Sequence, residues 1–239
     1  MGQDFQKGIR DGIPIALGYL SVSFTFGLAA VANGLAVWQA VLISLTNLTS
    51  AGQFAGLDIM AAAGGYAEMV LAQLVINLRY SLMSIAVSQK ADANMKTPQR
   101  LLVGFGITDE IFAVATGQND SVSTAYMTGL MLTPIAGWTL GTLLGALAGN
   151  ILPALVADAL GIAIYGMFLA IILPPARENK KLFVIIGAAA AISCIRYFTP
   201  LHEVLSSGFT IIIAAIAASV LGAVLFPVDT DAQKEEGSA

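Results

Sequence analysis

Eight apolar segments, separated by short polar loops, occupy nearly the whole chain. A helix of about 20 apolar residues spans a bilayer, and a backbone inside lipid must satisfy its own hydrogen bonds. The alternating ten-residue pattern of a membrane barrel is absent from the sequence. We therefore predict an all-α, polytopic membrane protein with about seven or eight helical spans. The segments cover residues 13–32, 37–63, 69–88, 101–116, 124–148, 151–173, 182–198 and 208–226.

Two of these segments contain interruptions that a plain span would not carry. Segment 37–63 has a polar, glycine-bearing patch at residues 47–56, and segment 124–148 has Pro134 near its middle. Glycine or proline interruptions in two halves of a chain are typical of discontinuous helices that surround a binding site at the membrane midplane. We predict interrupted helices, either broken or re-entrant, with simple kinks as the alternative.

The basic residues indicate how the chain is oriented. They cluster at residues 7–10, 90–100 and 177–181, and each cluster favours the cytoplasmic side. Eight simple crossings would place the second cluster outside. All three basic clusters can be cytoplasmic only if one interrupted segment in each half of the chain returns to the side from which it entered, or splits into two crossings. A faint similarity between the residues after Asp11 and those after Asp158 is compatible with an inverted repeat.

The composition excludes a separate soluble domain. Hydrophobic residues make up 57% of the 239 residues, charged residues make up 11%, and the mean hydropathy is +0.81, whereas soluble domains carry about 25% charged residues. We expect one integral membrane domain over 1–239, with a disordered acidic tail over about 228–239. The sequence has no basic patch with interleaved aromatic residues, so we expect no nucleic-acid partner.

Two adjacent carboxylates, Asp109 and Glu110, lie inside an apolar segment. Each such charge costs roughly 2.5–3.5 kcal/mol in a membrane helix on insertion scales, so the pair must meet protein, water or substrate. Arg79 needs an anion of its own, which Asp109, Glu110 or a bound carboxylate can supply. A functional site and a structural ion pair are both open for these residues.

A polar stripe accompanies Arg79 on the helix predicted over 69–88. Residues at spacings of three or four share one helix face, and such a polar face meets protein or a water-filled path. By helical geometry, the Arg79 side chain projects to a different side of this helix, more than about 100° away from the polar stripe around the helix axis. The stripe consists of Gln73, Asn77, Tyr80, Ser84 and Ser88.

Residues 50–54 form a second polar patch. If the helix breaks there, free amides at the new N-terminus can hold a carboxylate. Ser50 and Gln53 add neutral hydrogen-bond donors and acceptors. Tight packing of small residues is the alternative explanation.

A glycine ladder marks segment 124–148 and its end. Gly137, Gly141, Gly145 and Gly149 recur at every fourth residue and therefore share one helix face. Small residues in this pattern let another backbone approach closely. The ladder predicts helix packing and carries no chemistry of its own.

Hydrolytic and metal chemistry have no support in the sequence. Its one histidine, His202, lies outside the apolar segments, and the sequence has no His-Glu-x-x-His, no cysteine pair and no Gly-x-Ser-x-Gly. It has no Gly-x-x-x-x-Gly-Lys-Ser/Thr phosphate loop either. We expect no enzyme, no metal and no cofactor, and we favour the proton gradient over ATP as an energy source.

Four motifs stand out along the chain: Ser50-Ala-Gly-Gln-Phe54, Asn77-Leu-Arg-Tyr-Ser-Leu-Met-Ser84, Gly106-Ile-Thr-Asp-Glu-Ile-Phe-Ala113 and the ladder over 138–149. Together they resemble the AzlC family, the large subunits of branched-chain amino acid exporters. The resemblance implies export of valine, leucine or isoleucine, with methionine as a related candidate. It also implies a small AzlD-type membrane subunit as partner and a multi-pass location in a bacterial or archaeal plasma membrane. Gly52 departs from the family pattern, which has Ala-Ser-Gln-Phe.

The resemblance and the polar residues assign roles. Asp109 or Glu110 is expected to carry the proton, because burial favours the neutral acid and a nearby arginine favours the carboxylate. A channel or passive facilitator and a non-transporting structural subunit are the alternatives. The expected substrate-binding residues are Ser50, Gly52, Gln53, Phe54, Asn77, Arg79 and Tyr80.

Overall fold

A computed structural model describes residues 2–149 and 179–227, together with positions 169, 172–173 and 176–177. The described part is helical apart from loops and one isolated β-bridge between Ala91 and Val122, so the all-α prediction is confirmed. The predictions for residues 151–168, for Asp158 and for the tail over 228–239 concern residues outside the described part of the chain. The helices are α1 Gly2–Ala32, α2 Val37–Thr46, α3 Ser50–Ala61, α4 Tyr66–Lys90, α5 Thr97–Phe105, α6 Asp109–Thr116, α7 Thr124–Gly149, α8 Lys181–Phe198, α9 Leu201–Val204 and α10 Ser207–Leu225.

Five helices of the described part, α1, α4, α7, α8 and α10, are long and apolar enough to cross a membrane. The predicted number of seven or eight spans counted two further segments, 37–63 and 101–116, as crossings. Each of these segments instead consists of two short helices. The described part of the chain is that of a multi-pass membrane protein, in which segments 37–63 and 101–116 do not form single long helices.

Helices α1 and α7 run parallel and in contact along their whole length. Gly137 faces the backbone of Ala16, and Gly145 faces the backbone of Phe24 at the next turns along both helices. A Cβ atom at either glycine would overlap that backbone. The ladder prediction is confirmed, and the neighbouring helix belongs to the same chain.

Helices α2 and α3 form a re-entrant pair. The chain breaks at residues 47–49 between them, as the polar patch predicted. Leu57, late in α3, packs with Ala40, early in α2, and with Phe26 near the end of α1. The pair therefore enters and leaves at the same end of α1.

Helices α5 and α6 form a second re-entrant pair, inserted from the opposite end. Arg100, in the first turn of α5, donates to the Ser88 carbonyl at 3.1 Å. The Lys90 ammonium donates to the Thr116 carbonyl at 2.6 Å, at the last turn of α6. Both ends of the pair thus lie beside the end of α4. The prediction of one span over 101–116 is wrong, because the chain breaks at residues 106–108.

The predicted interruption of segment 124–148 is also wrong, because α7 continues through Pro134. A proline inside a membrane helix is tolerated where a neighbouring helix supports the freed backbone. Here α1 packs directly on that turn, and a Cβ added at Gly12 would meet the Leu130 carbonyl at 2.7 Å. The proline is therefore accommodated without a break.

The basic clusters lie at one end of the molecule. The Lys7 ammonium donates to the Gln118 side chain at 2.5 Å, and Lys90 donates to the Gln118 carbonyl. Helix α10 begins at the other end, where the Gly208 amide donates to Glu68 at 3.0 Å, and it ends near Lys181, which lies 5.5 Å from the Phe226 ring. Two returning pairs thus bring the three clusters together. The order of a long helix and a re-entrant pair occurs twice, in opposite directions.

Candidate functional site

A cleft of about 900 Å³ lies where the tips of the two re-entrant pairs approach each other. It sits between two apolar clusters, one containing α5 and α6 residues such as Ile111 and one containing α3 residues such as Leu57. The long helices α1, α4 and α7 contribute residues from near their middles, whereas α3 and α6 contribute residues from their N-terminal ends. The polar and aromatic lining comprises Tyr19, Ser21, Ser50, Arg79, Tyr80, Thr108, Asp109, Glu110 and Trp138.

Arg79 and Asp109 form an ion pair across the cleft. Arg79 Nη2 lies 2.9 Å from Asp109 Oδ2, and the two side chains are 48% and 40% exposed. A second Arg79 hydrogen bond, at 3.2 Å, goes to the Tyr80 hydroxyl. Arg79 therefore has the anion that its position in the sequence demanded, and that anion comes from α6.

The Glu110 side chain points towards α1, and it makes no ion pair with Arg79. The Tyr19 hydroxyl donates to Glu110 Oε2 and lies 2.6 Å from Thr108 Oγ1. Thr108 is buried and caps α6, because its hydroxyl accepts from the Ile111 amide at 3.4 Å. Two adjacent carboxylates thus have different partners: a guanidinium for Asp109 and a phenol for Glu110.

The first turn of α3 opens onto the same cleft through Ser50 and Ala51. Thr49, which precedes it, makes no side-chain cap. The Gly52 carbonyl accepts from Gln73 at 2.8 Å, and a Cβ at Gly52 would crowd that side chain at 2.7 Å. Glycine at this position therefore allows α4 to approach the tip of α3 closely.

Four of the predicted site residues do not line the cleft. Gln53 is buried, accepts from the Trp138 indole nitrogen at 2.6 Å and donates to Ser44 at 2.8 Å. Phe54 packs edge-on against Phe26, with ring centroids 5.4 Å apart. These two residues, with Gly52, hold the tip of α3 in place.

Asn77 is the fourth residue outside the lining. Its amide nitrogen donates to the Gln73 side chain at 2.9 Å. Its Oδ1 atom is buried, and the part of the chain that the structure describes provides no partner for it. Asn77 and Gln73 connect α4 to α3 beneath the cleft. Direct substrate contact by Asn77 stays a prediction.

Four of the polar and aromatic lining residues were not predicted as site residues from the sequence: Tyr19, Ser21, Thr108 and Trp138. Thr108 carries a readable signal, since a threonine followed by acidic residues is typical of a helix start. Tyr19 and Trp138 have no such signal, because an aromatic residue in an apolar segment is most often packing. Their rings contact edge-on at 5.2 Å between centroids.

Comparison with known proteins places the sequence of this chain in a family. The AzlC protein family matches residues 14–152. A membrane protein of Archaeoglobus fulgidus is 31% identical over 91% of this chain and 93% of its own length. Inner membrane protein YgaZ of Escherichia coli is 28% identical over 79% of this chain and 81% of its own length. No solved structure matches the chain. This chain belongs to the AzlC family of membrane proteins.

Proposed function

We propose that the protein is the large subunit of a secondary transporter that exports branched-chain or related small neutral amino acids, coupled to protons. The observation that carries the proposal is the 900 Å³ cleft, which presents charges of both signs near the middle of the spanning helices. Pockets for small ligands usually measure about 300–1,000 Å³. An amino acid fits this volume, and its two charges need both kinds of partner.

The lining offers a separate place for each part of a zwitterion. The uncapped first turn of α3, at Ser50 and Ala51, and the half-exposed Arg79 suit a carboxylate. Asp109 and Glu110 suit an ammonium group. The remaining wall is apolar and suits an aliphatic side chain. It includes Ile15, Val22, Leu48 and Trp138.

Proton coupling is assigned to Glu110 rather than to Asp109. Asp109 is paired with Arg79, which favours the charged carboxylate. In the described part of the chain, the Glu110 side chain accepts a hydrogen bond from the Tyr19 hydroxyl and forms no ion pair, so it can gain or lose a proton without breaking one. The basic end of the molecule, with Lys7 and Lys90, is assigned to the cytoplasm.

The proposal includes a small AzlD-type subunit. Arg79 and Asp109 are about half exposed near the middle of spanning helices. Charges that face lipid cost roughly 2.5–3.5 kcal/mol each on insertion scales. A second membrane chain that covers the open side of the cleft would remove this cost, which supports a partner beside α1 and α4.

Counterflow in proteoliposomes tests the proposal. Labelled valine, leucine, isoleucine, methionine and alanine are offered to vesicles loaded with unlabelled substrate, with and without the small subunit. We expect exchange of the aliphatic amino acids, and net export that stops when an uncoupler collapses the proton gradient. Arg79→Ala should lower the flux per molecule of reconstituted protein.

Three outcomes would contradict parts of the proposal. Absence of exchange even with the small subunit would remove the amino-acid assignment. Export that continues at the same rate without a gradient would instead identify a passive facilitator. If Arg79→Ala lowers only the amount of protein and leaves the flux per molecule unchanged, the ion pair is structural.

A further inference from the structure

We propose that Tyr19 is a positioning residue that keeps Glu110 hydrogen-bonded in both of its protonation states, by reversing a short chain of hydrogen bonds that ends at Thr108. The inference rests on the proposed function in one respect, namely that Glu110 carries the proton. It adds a residue on α1 to a proton site that the sequence placed on α6 alone.

The geometry places one phenol between two oxygens. The Tyr19 hydroxyl contacts Glu110 Oε2 and lies 2.6 Å from Thr108 Oγ1. Its ring packs edge-on against Trp138, with an interplanar angle of 75°. Trp138 is itself held by Gln53 at 2.6 Å. The aromatic contact fixes the ring, so the hydroxyl hydrogen is the part that can turn.

The chemistry of the three groups allows two arrangements. A phenol and a threonine hydroxyl each have one donor and free acceptor positions, whereas a carboxylate only accepts. With Glu110 charged, Tyr19 donates to Glu110. When a proton from water in the cleft adds to Glu110, the new O–H donates to the Tyr19 oxygen, and Tyr19 turns its hydrogen to Thr108. The reverse step returns the proton to water.

This arrangement gives Glu110, whose side chain is exposed to the cleft, a protein hydrogen-bond partner in both protonation states. A partner that only donates could still bond the carbonyl oxygen of the protonated acid, but it would offer no acceptor for the new O–H. The phenol can both donate and accept, so neither state loses its bond. The other polar groups in the lining around Glu110 are the titratable Arg79, Tyr80 and Asp109, and the neutral Ser21, Ser50 and Trp138.

Infrared difference spectroscopy between high and low pH, on protein in bilayers without substrate, tests the inference. The carboxylic C=O band that disappears in Glu110→Gln belongs to Glu110. We expect Tyr19→Phe to move this band to higher wavenumber, because the acid loses the acceptor for its O–H. Thr108→Val should move it in the same direction by less, whereas Thr108→Ser should leave it in place.

Tyr126→Phe is the matched control, because Tyr126 donates to the carboxylate of Asp11 at 2.9 Å, away from the cleft. It should leave the Glu110 band unmoved. A Glu110 band at the same wavenumber in Tyr19→Phe and wild type would overturn the inference and leave proton coupling intact. The absence of any Glu110 band between high and low pH would overturn both. Failure of amino-acid exchange with a band that moves would overturn only the substrate assignment.

Discussion

Two half-helices, α3 and α6, open onto the same cleft, yet they present different N-termini. Thr108 caps α6, and Asp109 and Glu110 follow in its first turn. Thr49 precedes α3 without capping it, and the first turn of α3 carries no acidic residue. A threonine in extended conformation precedes both helices, with ψ of 109° at Thr49 and 173° at Thr108, so the two N-termini differ in backbone angle as well as in the side chains of the first turn.

The difference decides what each tip can bind. The N-terminus of a helix carries about half a positive charge. In α6 that charge meets the carboxylates of its own first turn, so the tip as a whole attracts a cation or a proton. The first turn of α3 carries no carboxylate of its own, so the amides near Ser50 remain available to a bound carboxylate. Under the proposed function, the two inverted half-helices would serve the two ends of a zwitterion.

The anchors of the two tips differ as well. Neutral, buried hydrogen bonds hold α3, through Gln53 to Trp138 and through Gln73 to the Gly52 carbonyl. Hydrogen bonds that involve charged groups hold α6. Tyr19 donates to the Glu110 carboxylate in its first turn, and the Lys90 ammonium donates to the Thr116 carbonyl in its last turn. Substitutions that remove a neutral hydrogen bond or a packing contact should therefore destabilise the α3 tip most. Substitutions that change a charge should affect the α6 tip most.

The largest expected effect follows from neutralising the α6 tip. Glu110→Gln keeps the size of the side chain and an oxygen that accepts from Tyr19, but the amide cannot carry a proton. We expect gradient-driven export to fall to the level of protein-free vesicles, while the protein stays folded in the membrane. Uptake into vesicles under an imposed pH gradient measures this.

Glu203→Gln is the control for that experiment, because it makes the same chemical change at an exposed residue of α9. It should leave export unchanged. Normal proton-driven transport by Glu110→Gln would remove Glu110 from the coupling step and turn attention to Asp109.

The next effect concerns the anchor of α3. Gln53→Leu leaves the indole N–H of Trp138 without its acceptor, inside a site where Gln53 is 1% exposed. We expect the free energy of unfolding to fall by roughly 2 kcal/mol, since a buried donor without a partner costs about 1–3 kcal/mol. Thermal unfolding of the purified protein measures it. Gln89→Leu, the same change at an exposed position, should alter the stability little, and equal losses in both variants would count against the anchor.

Part of this contrast could be predicted from the sequence. The polar patch at 50–54 predicted the break before α3, and the charge of Arg79 required an anion that Asp109 supplies. These features are readable because a charge or a run of polar residues in lipid demands a local reason. The glycine ladder was readable for a similar reason, since its spacing alone defines a packing face.

The second re-entrant pair could not be predicted in the same way. Helices α5 and α6 together are about as long as one span, so mean hydropathy does not distinguish a returning pair from a single crossing. The break at residues 106–108 lies in a run whose only signals are Gly106 and Thr108. The role of Tyr19 could not be predicted for another reason. Its hydrogen-bond partners lie about 90 residues further along the chain, and sequence spacing carries no information about such contacts.

A smaller effect is expected from giving α3 the charge of α6. Ser50→Asp places a carboxylate on the first turn of α3, where it competes with the substrate carboxylate for the same amides. We expect substrate to bind about tenfold more weakly, or about 1.4 kcal/mol, within the range of helix-terminus interactions. Equilibrium binding of labelled amino acid measures it. Ser50→Asn, similar in size but neutral, should change the affinity less than about threefold. Equal affinities in the two variants would place the substrate carboxylate elsewhere.

The smallest effect is expected at the far end of α6. The Lys90 ammonium donates to the Thr116 and Gln118 carbonyls, where a cation also meets the negative end of the helix dipole. Lys90→Met should therefore lower the free energy of unfolding by about 1 kcal/mol, since a dipole interaction contributes about 0.3–1 kcal/mol at such a site. Lys96→Met changes an exposed lysine in the neighbouring loop, whose backbone amide donates to Gln99 at 2.8 Å, and it should leave the unfolding temperature unchanged. If the two variants unfold at the same temperature, the ammonium does not hold α6, and the tip of α6 depends on Tyr19 and the Arg79–Asp109 pair alone.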